Sequence, residues 1–174
     1  FGENPQEFLD GLQSLGVDAP TGIRLAGEST PQVYQNAGDG RWSGLSLTQM
    51  SIGYEVTQTP LQILTLYNAV ANNGTSLRPQ LVERLENNGQ VVKTFQPEVL
   101  KQSICSPAVL ANCQDMLMGV ADPEGKGTAQ YVFANSPYRV AGKTGTARIA
   151  GPNGYDGRYR ASFAGYFPAD QPRY

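Results

Sequence analysis

Apolar residues recur at helical spacing in three stretches of this chain and alternate with polar ones in four others, so helices and strands are intermixed along it. Asn4 stands as a helix N-cap, with Pro5 at the first helical position and Glu7 three residues after the cap. Phe8, Leu12 and Leu15 then share a face, and Gly16 closes the helix. Thr59-Pro60-Leu61-Gln62 has the form of a capping box. Behind it Leu61, Ile63, Leu64, Leu66, Ala69 and Val70 are apolar on nearly every side up to Gly74, which predicts a central helix. Ser106 and Pro107 open a third helix with Leu110, Cys113, Leu117 and Val120 as its buried stripe. Alternation over residues 81–85 and 91–95, around Asn87-Asn88-Gly89, predicts a hairpin. Strands over 138–149 and 161–167 form a second antiparallel pair, and the glycine-rich segment 151–159 between them reads as a mobile loop, too long for a tight turn. Residues 18–46 show no sustained periodicity and read as a long surface excursion. No internal repeat is visible, and helices mixed with antiparallel pairs indicate an α+β fold, an antiparallel sheet flanked by helices, rather than a parallel α/β one.

Composition narrows the chemistry more than the fold. A chain of 174 residues with 40% hydrophobic content can build the core of one domain. With 15 acidic and 13 basic residues and no Lys/Arg-rich run, an electrostatic footprint for nucleic acid is missing. Histidine is absent, which removes Ser-His-Asp and Cys-His arrangements and most zinc sites, and leaves acid-base work to Lys, Asp, Glu or Tyr. Cys105 and Cys113 match neither a C-x-x-C motif nor a metal knuckle and read as small apolar residues. Neither a metal nor a cofactor is indicated. The longest uncharged run, residues 56–77, is broken by Pro60 and several amides, and falls short of a bilayer span.

The candidate chemistry is Lys143-Thr144-Gly145-Thr146, within the 138–149 strand. Alternation puts Thr144 and Thr146 on the same face, and Gly145 lets another chain approach closely. Two hydroxyls and an ammonium around a gap suit a bound carboxylate beside a peptide backbone. The same four residues also fit a bulge or a tight crossing in an ordinary sheet. Other motifs fall away. Gly125-Lys126-Gly127-Thr128 lacks the Walker spacing and follows a helix rather than a strand, so it reads as a flexible connector. Tyr34-Gln35-Asn36 has a Tyr-x-Asn form, but lies in the irregular stretch and is common by chance. No spacing singles out a catalytic carboxylate pair among Glu83, Glu86, Asp115 and Asp122.

Several separated stretches carry a family resemblance. Thr21-Gly22-Ile23-Arg24-Leu25-Ala26-Gly27-Glu28 resembles the T-G-I-D-L-P-G-E turn of class B penicillin-binding proteins. Ser51-Ile52-Gly53 with Thr59-Pro60-Leu61-Gln62 resembles their S-I-G-Q-G…T-P-L-Q segment. Ala71-Asn72-Asn73-Gly74 before Arg78-Pro79, then Gly127-Thr128-Ala129, follow in the family's order. The chain thus resembles the C-terminal part of the transpeptidase domain, most similar to the division-type (septal) enzymes. It departs from the pattern at Arg24, Ala26, Tyr54, Glu55 and Arg148, positions that bear on subfamily and cleft shape.

The resemblance implies a peptidoglycan D,D-transpeptidase that cross-links stem peptides ending in D-alanyl-D-alanine through a serine acyl-enzyme, and that β-lactams acylate. It assigns Thr144 and Thr146 to the substrate carboxylate, Lys143 to electrostatic support and proton transfer, and the Thr146 N–H to an oxyanion hole; Tyr155 and Tyr159 are candidates for the cleft border. It further implies an extracytoplasmic, periplasmic location, an N-terminal membrane anchor and cell-division proteins as partners. The family's S-x-x-K and S-x-N motifs do not occur here. Residues 1–174 are therefore expected to be part of one transpeptidase domain, with the nucleophile upstream and a last strand and helix downstream, and inactive alone. Two further readings stay open: a β-lactam-binding or divisome scaffold without turnover, and a D,D-carboxypeptidase or β-lactamase of the same fold.

Overall fold

The computed structural model describes residues 4–38, 40–152 and 154–174, without the side chains of Ala150 and Asp156. In chain order the elements are α1 (Pro5–Ser14), α2 (Ser46–Ser51), α3 (Pro60–Ala71), β1 (Ser76–Leu77), β2 (Arg84–Asn87), β3 (Gln90–Thr94), β4 (Val99–Lys101), α4 (Pro107–Ala121), α5 (Gln130–Phe133), β5 (Ala141–Gly151) and β6 (Gly154–Tyr166). The strands pair antiparallel as β1 with β4, β2 with β3 and β5 with β6. The α+β class is as expected. Two compact units emerge: the first comprises residues 1–69 and 74–105, the second residues 70–73 and 106–174.

In the first unit, Pro5 opens α1 as its sequence predicts, but Leu9 is the fully buried residue, whereas Phe8, Leu12 and Leu15 are half-buried. A helix buries the residue its neighbours happen to cover, and Leu9 lies to one side of the expected stripe rather than within it. Val17, Met50, Ala69 and Ile104 complete this core. The capping box of α3 forms in both directions: the Thr59 N–H donates to Gln62 Oε1 at 2.8 Å, and the Gln62 N–H donates to Thr59 Oγ1 at 3.3 Å. Burial of α3 is less complete than its composition suggests. Ala69 and Val70 are buried, but Leu64 is 57% exposed.

The irregular stretch is tied down by one carboxylate. Glu28 accepts from the N–H groups of Thr21 at 2.7 Å and Gly22 at 3.0 Å, while Gln62 Nε2 holds the Ser29 carbonyl at 2.7 Å. Desolvation raises the Glu28 carboxyl, but hydrogen bonds from the Thr21 backbone and hydroxyl, from Gly22 and from Gln62 outweigh it and leave it below the usual carboxylate range. A depressed carboxylate contributes stability above its unfolded value, about 4.3, and loses that contribution as pH falls through the lower folded value. Glu28→Gln is therefore expected to cost about 1 kcal/mol at neutral pH, with the gap to wild type closing in acid. Thermal melting of the full-length protein between neutral and acid pH checks this; a gap that stays constant with pH would contradict it.

The predicted hairpin is present. Asn88 and Gly89, at φ 47° and 76°, form a two-residue turn between Asn87 and Gln90. Positive φ at both central positions is the primed geometry that matches strand twist, and Gly89 adopts it without a Cβ penalty. Every residue of β2 and β3 is exposed.

In the second unit, Ser106 caps α4 through a 3.4 Å bond from the Val109 N–H, with Pro107 at the first helical position. Leu110 and Ala121 are buried, while Cys113, Leu117 and Val120 are half-buried; α4 packs against β5. Cys105 in the first unit and Cys113 are not joined in a disulfide.

The expectation of a mobile 151–159 loop is wrong. β5 and β6 run on together to the pair Gly151 with Gly154, so residues 154–159 of the expected loop belong to a paired strand; Asn153 lies outside the described residues. The glycines that suggested a loop lie within or at the ends of paired strands, where backbone hydrogen bonding outweighs the low strand preference of glycine. The ladder is in regular register from Ala141 opposite Tyr166 to Arg148 opposite Tyr159, then shifts between Arg148 and Ala150.

Candidate active site

Lys143-Thr144-Gly145-Thr146 lies in the regular half of this ladder, opposite Ala164, Phe163, Ser162 and Ala161 respectively. Directly opposed residues share a face, and successive residues alternate. Thr144 and Thr146 therefore share one face with Phe163 and Ala161, while Lys143 and Gly145 occupy the other with Ala164 and Ser162. Thr146 and Lys143 are exposed and Thr144 is half-buried. Although Lys143 starts from the opposite face, its Nζ reaches the Thr144 carbonyl at 2.7 Å.

Glycine at 145 has a local reason. A Cβ there would lie 2.4 Å from Ser162 Oγ, so the hydroxyl of the partner strand fills the space that a side chain would need. On the threonine face a Cβ at Gly142 would lie 2.4 Å from the Phe163 ring, which is also 3.0 Å from a Cβ built at Gly165. Two opposed glycines thus seat Phe163, and its ring packs on Phe133 of α5 with centroids 5.2 Å apart. At the buried end of the hairpin, Ala141 and Tyr166 face each other; burial, with a contribution from Cys113, pushes the Tyr166 hydroxyl pKa up.

The segment before α5 is not the flexible connector its glycines suggest. The Asp122 carbonyl takes the Gly125 N–H at 3.2 Å, Asp122 Oδ1 takes the Glu124 N–H at 3.0 Å, and the Val120 carbonyl takes the Ala129 N–H at 2.9 Å. This brings Thr128 Oγ1 to 2.7 Å from Thr144 Oγ1. Thr128 belongs to a motif visible in the sequence, but its partner lies 16 residues away and only tertiary packing joins them.

Other candidates are placed elsewhere. Tyr155 and Tyr159 stand on β6, opposite Ala150 and Arg148, and the Arg148 guanidinium lies 4.5 Å from the Tyr155 ring centre. Tyr34 packs edge-on to Trp42 at 5.4 Å, with its hydroxyl donating to the Arg41 carbonyl at 3.4 Å. Among the described residues no cluster of three or more His, Cys, Asp or Glu could hold a metal ion, and no helix is long and apolar enough to cross a membrane.

The family model for the penicillin-binding protein transpeptidase domain matches residues 3–174. The chain belongs to the penicillin-binding protein transpeptidase family. This transpeptidase-family chain is 34% identical to penicillin-binding protein PbpB of Mycolicibacterium smegmatis over 98% of its own length and 26% of that protein. It is 30% identical to the peptidoglycan D,D-transpeptidase FtsI of Escherichia coli K12 over 96% of its length and 26% of that protein. It thus spans about a quarter of the length of these relatives. Its fold matches penicillin-binding protein 3 of Mycobacterium tuberculosis, solved in a complex with aztreonam, with a TM-score of 0.78 and 31% identity, covering 98% of this chain and 38% of that one. The division-type names among its relatives agree with the resemblance read from its motifs.

Proposed function

We propose that this chain is the substrate-side wall of a peptidoglycan D,D-transpeptidase that works through a serine acyl-enzyme in septal wall synthesis. The observation that carries this reading is the placement of residues 143–146: a regular strand, two threonine hydroxyls on one face, and an exposed ammonium whose tip returns to the Thr144 carbonyl. An ionised carboxylate only accepts hydrogen bonds, and bonds to it are stronger than neutral ones. Thr144 and Thr146 donate to the terminal carboxylate of the stem peptide, or to that of a β-lactam, while Lys143 supplies positive charge beside it.

In an antiparallel strand, residues two apart direct their backbone groups to the same edge. The Thr146 N–H therefore points the way the Thr144 carbonyl does, toward the Lys143 ammonium, and there it serves as one donor of an oxyanion hole. The serine that attacks, and its lysine, come from outside residues 1–174. Acylation splits a direct amine attack on an amide into two easier steps. An extracytoplasmic site, an N-terminal anchor and cell-division partners complete the reading.

Fluorescent penicillin tests it on the full-length protein. Covalent labelling is expected in the wild type, and Thr144→Val with Thr146→Val together should slow it about 150-fold or more, as loss of two charge-assisted bonds requires. A folded wild-type protein that takes no label would favour the scaffold reading instead.

A further inference from the structure

Thr128 and Thr144 face each other at 2.7 Å through their hydroxyl oxygens. The pair is not an incidental meeting of surface side chains, because both neighbours of Thr128 are fixed against the end of α4. A Cβ on Gly127 would lie 2.2 Å from the Gly119 carbonyl oxygen and 2.3 Å from that of Val120, so the backbone there approaches α4 as closely as glycine permits. Ala129 is 2% exposed, with its N–H on the Val120 carbonyl. Thr128 is held between these two anchors.

A hydroxyl has one proton to give and two lone pairs to receive with. If Thr144 is to donate to an ionised carboxylate, its proton is committed, and it can only accept from Thr128. We infer that Thr128 is a positioning residue: its O–H donates to Thr144 Oγ1, turns the single Thr144 proton toward the ligand carboxylate, and strengthens that bond by polarising it. This rests on the carboxylate role of Thr144 proposed above. It extends the recognition apparatus from β5 to the Gly127-Thr128-Ala129 segment and gives that tripeptide a division of labour: close approach, hydroxyl, buried anchor.

The test measures the acylation rate constant of the full-length protein with benzylpenicillin and, in parallel, with its methyl ester, which lacks the ionised carboxylate. Thr128→Val keeps the shape and removes the hydroxyl. It is expected to slow acylation by benzylpenicillin about 5- to 10-fold and to leave the ester reaction unchanged, while Thr128→Ser restores most of the rate. The double variant Thr128→Val/Thr144→Val should be no slower than Thr144→Val alone, since Thr128 acts only through Thr144.

Three results would overturn the inference: a Thr128→Val protein as fast as wild type, an equal loss with acid and ester, or losses that multiply in the double variant. If Thr144→Val and Thr146→Val are themselves without effect, the carboxylate reading falls first, and that failure is distinguishable because it appears in variants that leave Thr128 intact.

Discussion

Lys143→Ala in the full-length protein is expected to slow acylation by a penicillin about 100-fold or more, the range typical of losing a positioned proton-transfer or charge-stabilising group. Lys143 is exposed and donates from solvent to the Thr144 carbonyl at 2.7 Å, so removing it should leave the hairpin folded. Lys143→Arg is expected to recover little, since a planar fork cannot occupy the place of a compact ammonium. Time-resolved labelling with fluorescent penicillin gives the rate, and the melting temperature controls for folding. An alanine variant within about threefold of wild type would remove Lys143 from the reaction.

Gly127→Ala should produce the largest loss of stability among the single changes considered. The added methyl meets the Gly119 and Val120 carbonyl oxygens at 2.2 and 2.3 Å and the Val120 carbonyl carbon at 2.5 Å, all backbone atoms of α4. Flexible side chains can swing aside, whereas a helix end can yield only by moving the segment. A cost of about 2 to 3 kcal/mol is expected, or roughly 5 to 10 °C in melting temperature. Gly119→Ala is the control. Apart from its chain neighbours and the backbone of its own helix, no atom lies within 4 Å of a Cβ there, and alanine is the better helix former, so that variant should be neutral or slightly more stable. If both variants melted like wild type, the tight approach of residue 127 to α4 would be wrong.

Much of this fold is legible in the sequence. Thr59 with Gln62, Ser106 with Pro107, and Asn88 with Gly89 each encode a local structure through hydrogen bonds or backbone preferences contained within four residues, and each forms as read. What escaped depends on distant partners. Leu9 rather than Phe8 or Leu12 is fully buried because of what covers α1. The 151–159 segment carries loop-like glycines, yet pairs because β5 supplies an opposing ladder. Of the candidate site, the alternation that puts Thr144 and Thr146 on one face was legible, and the ladder shares it. The contact of Thr128 with Thr144 was not, because nothing in either sequence neighbourhood refers to the other.

The shift in pairing between Arg148 and Ala150 separates the β5–β6 ribbon into two independently phased parts. A one-residue slip in a continuous ladder would exchange its faces and turn both threonines over. Because the irregularity falls after residue 148, the distal tip can gain or lose residues across evolution while the proximal four keep their orientation. A change of length at the outer end of the ribbon is thereby absorbed there and leaves the faces nearer its base as they are.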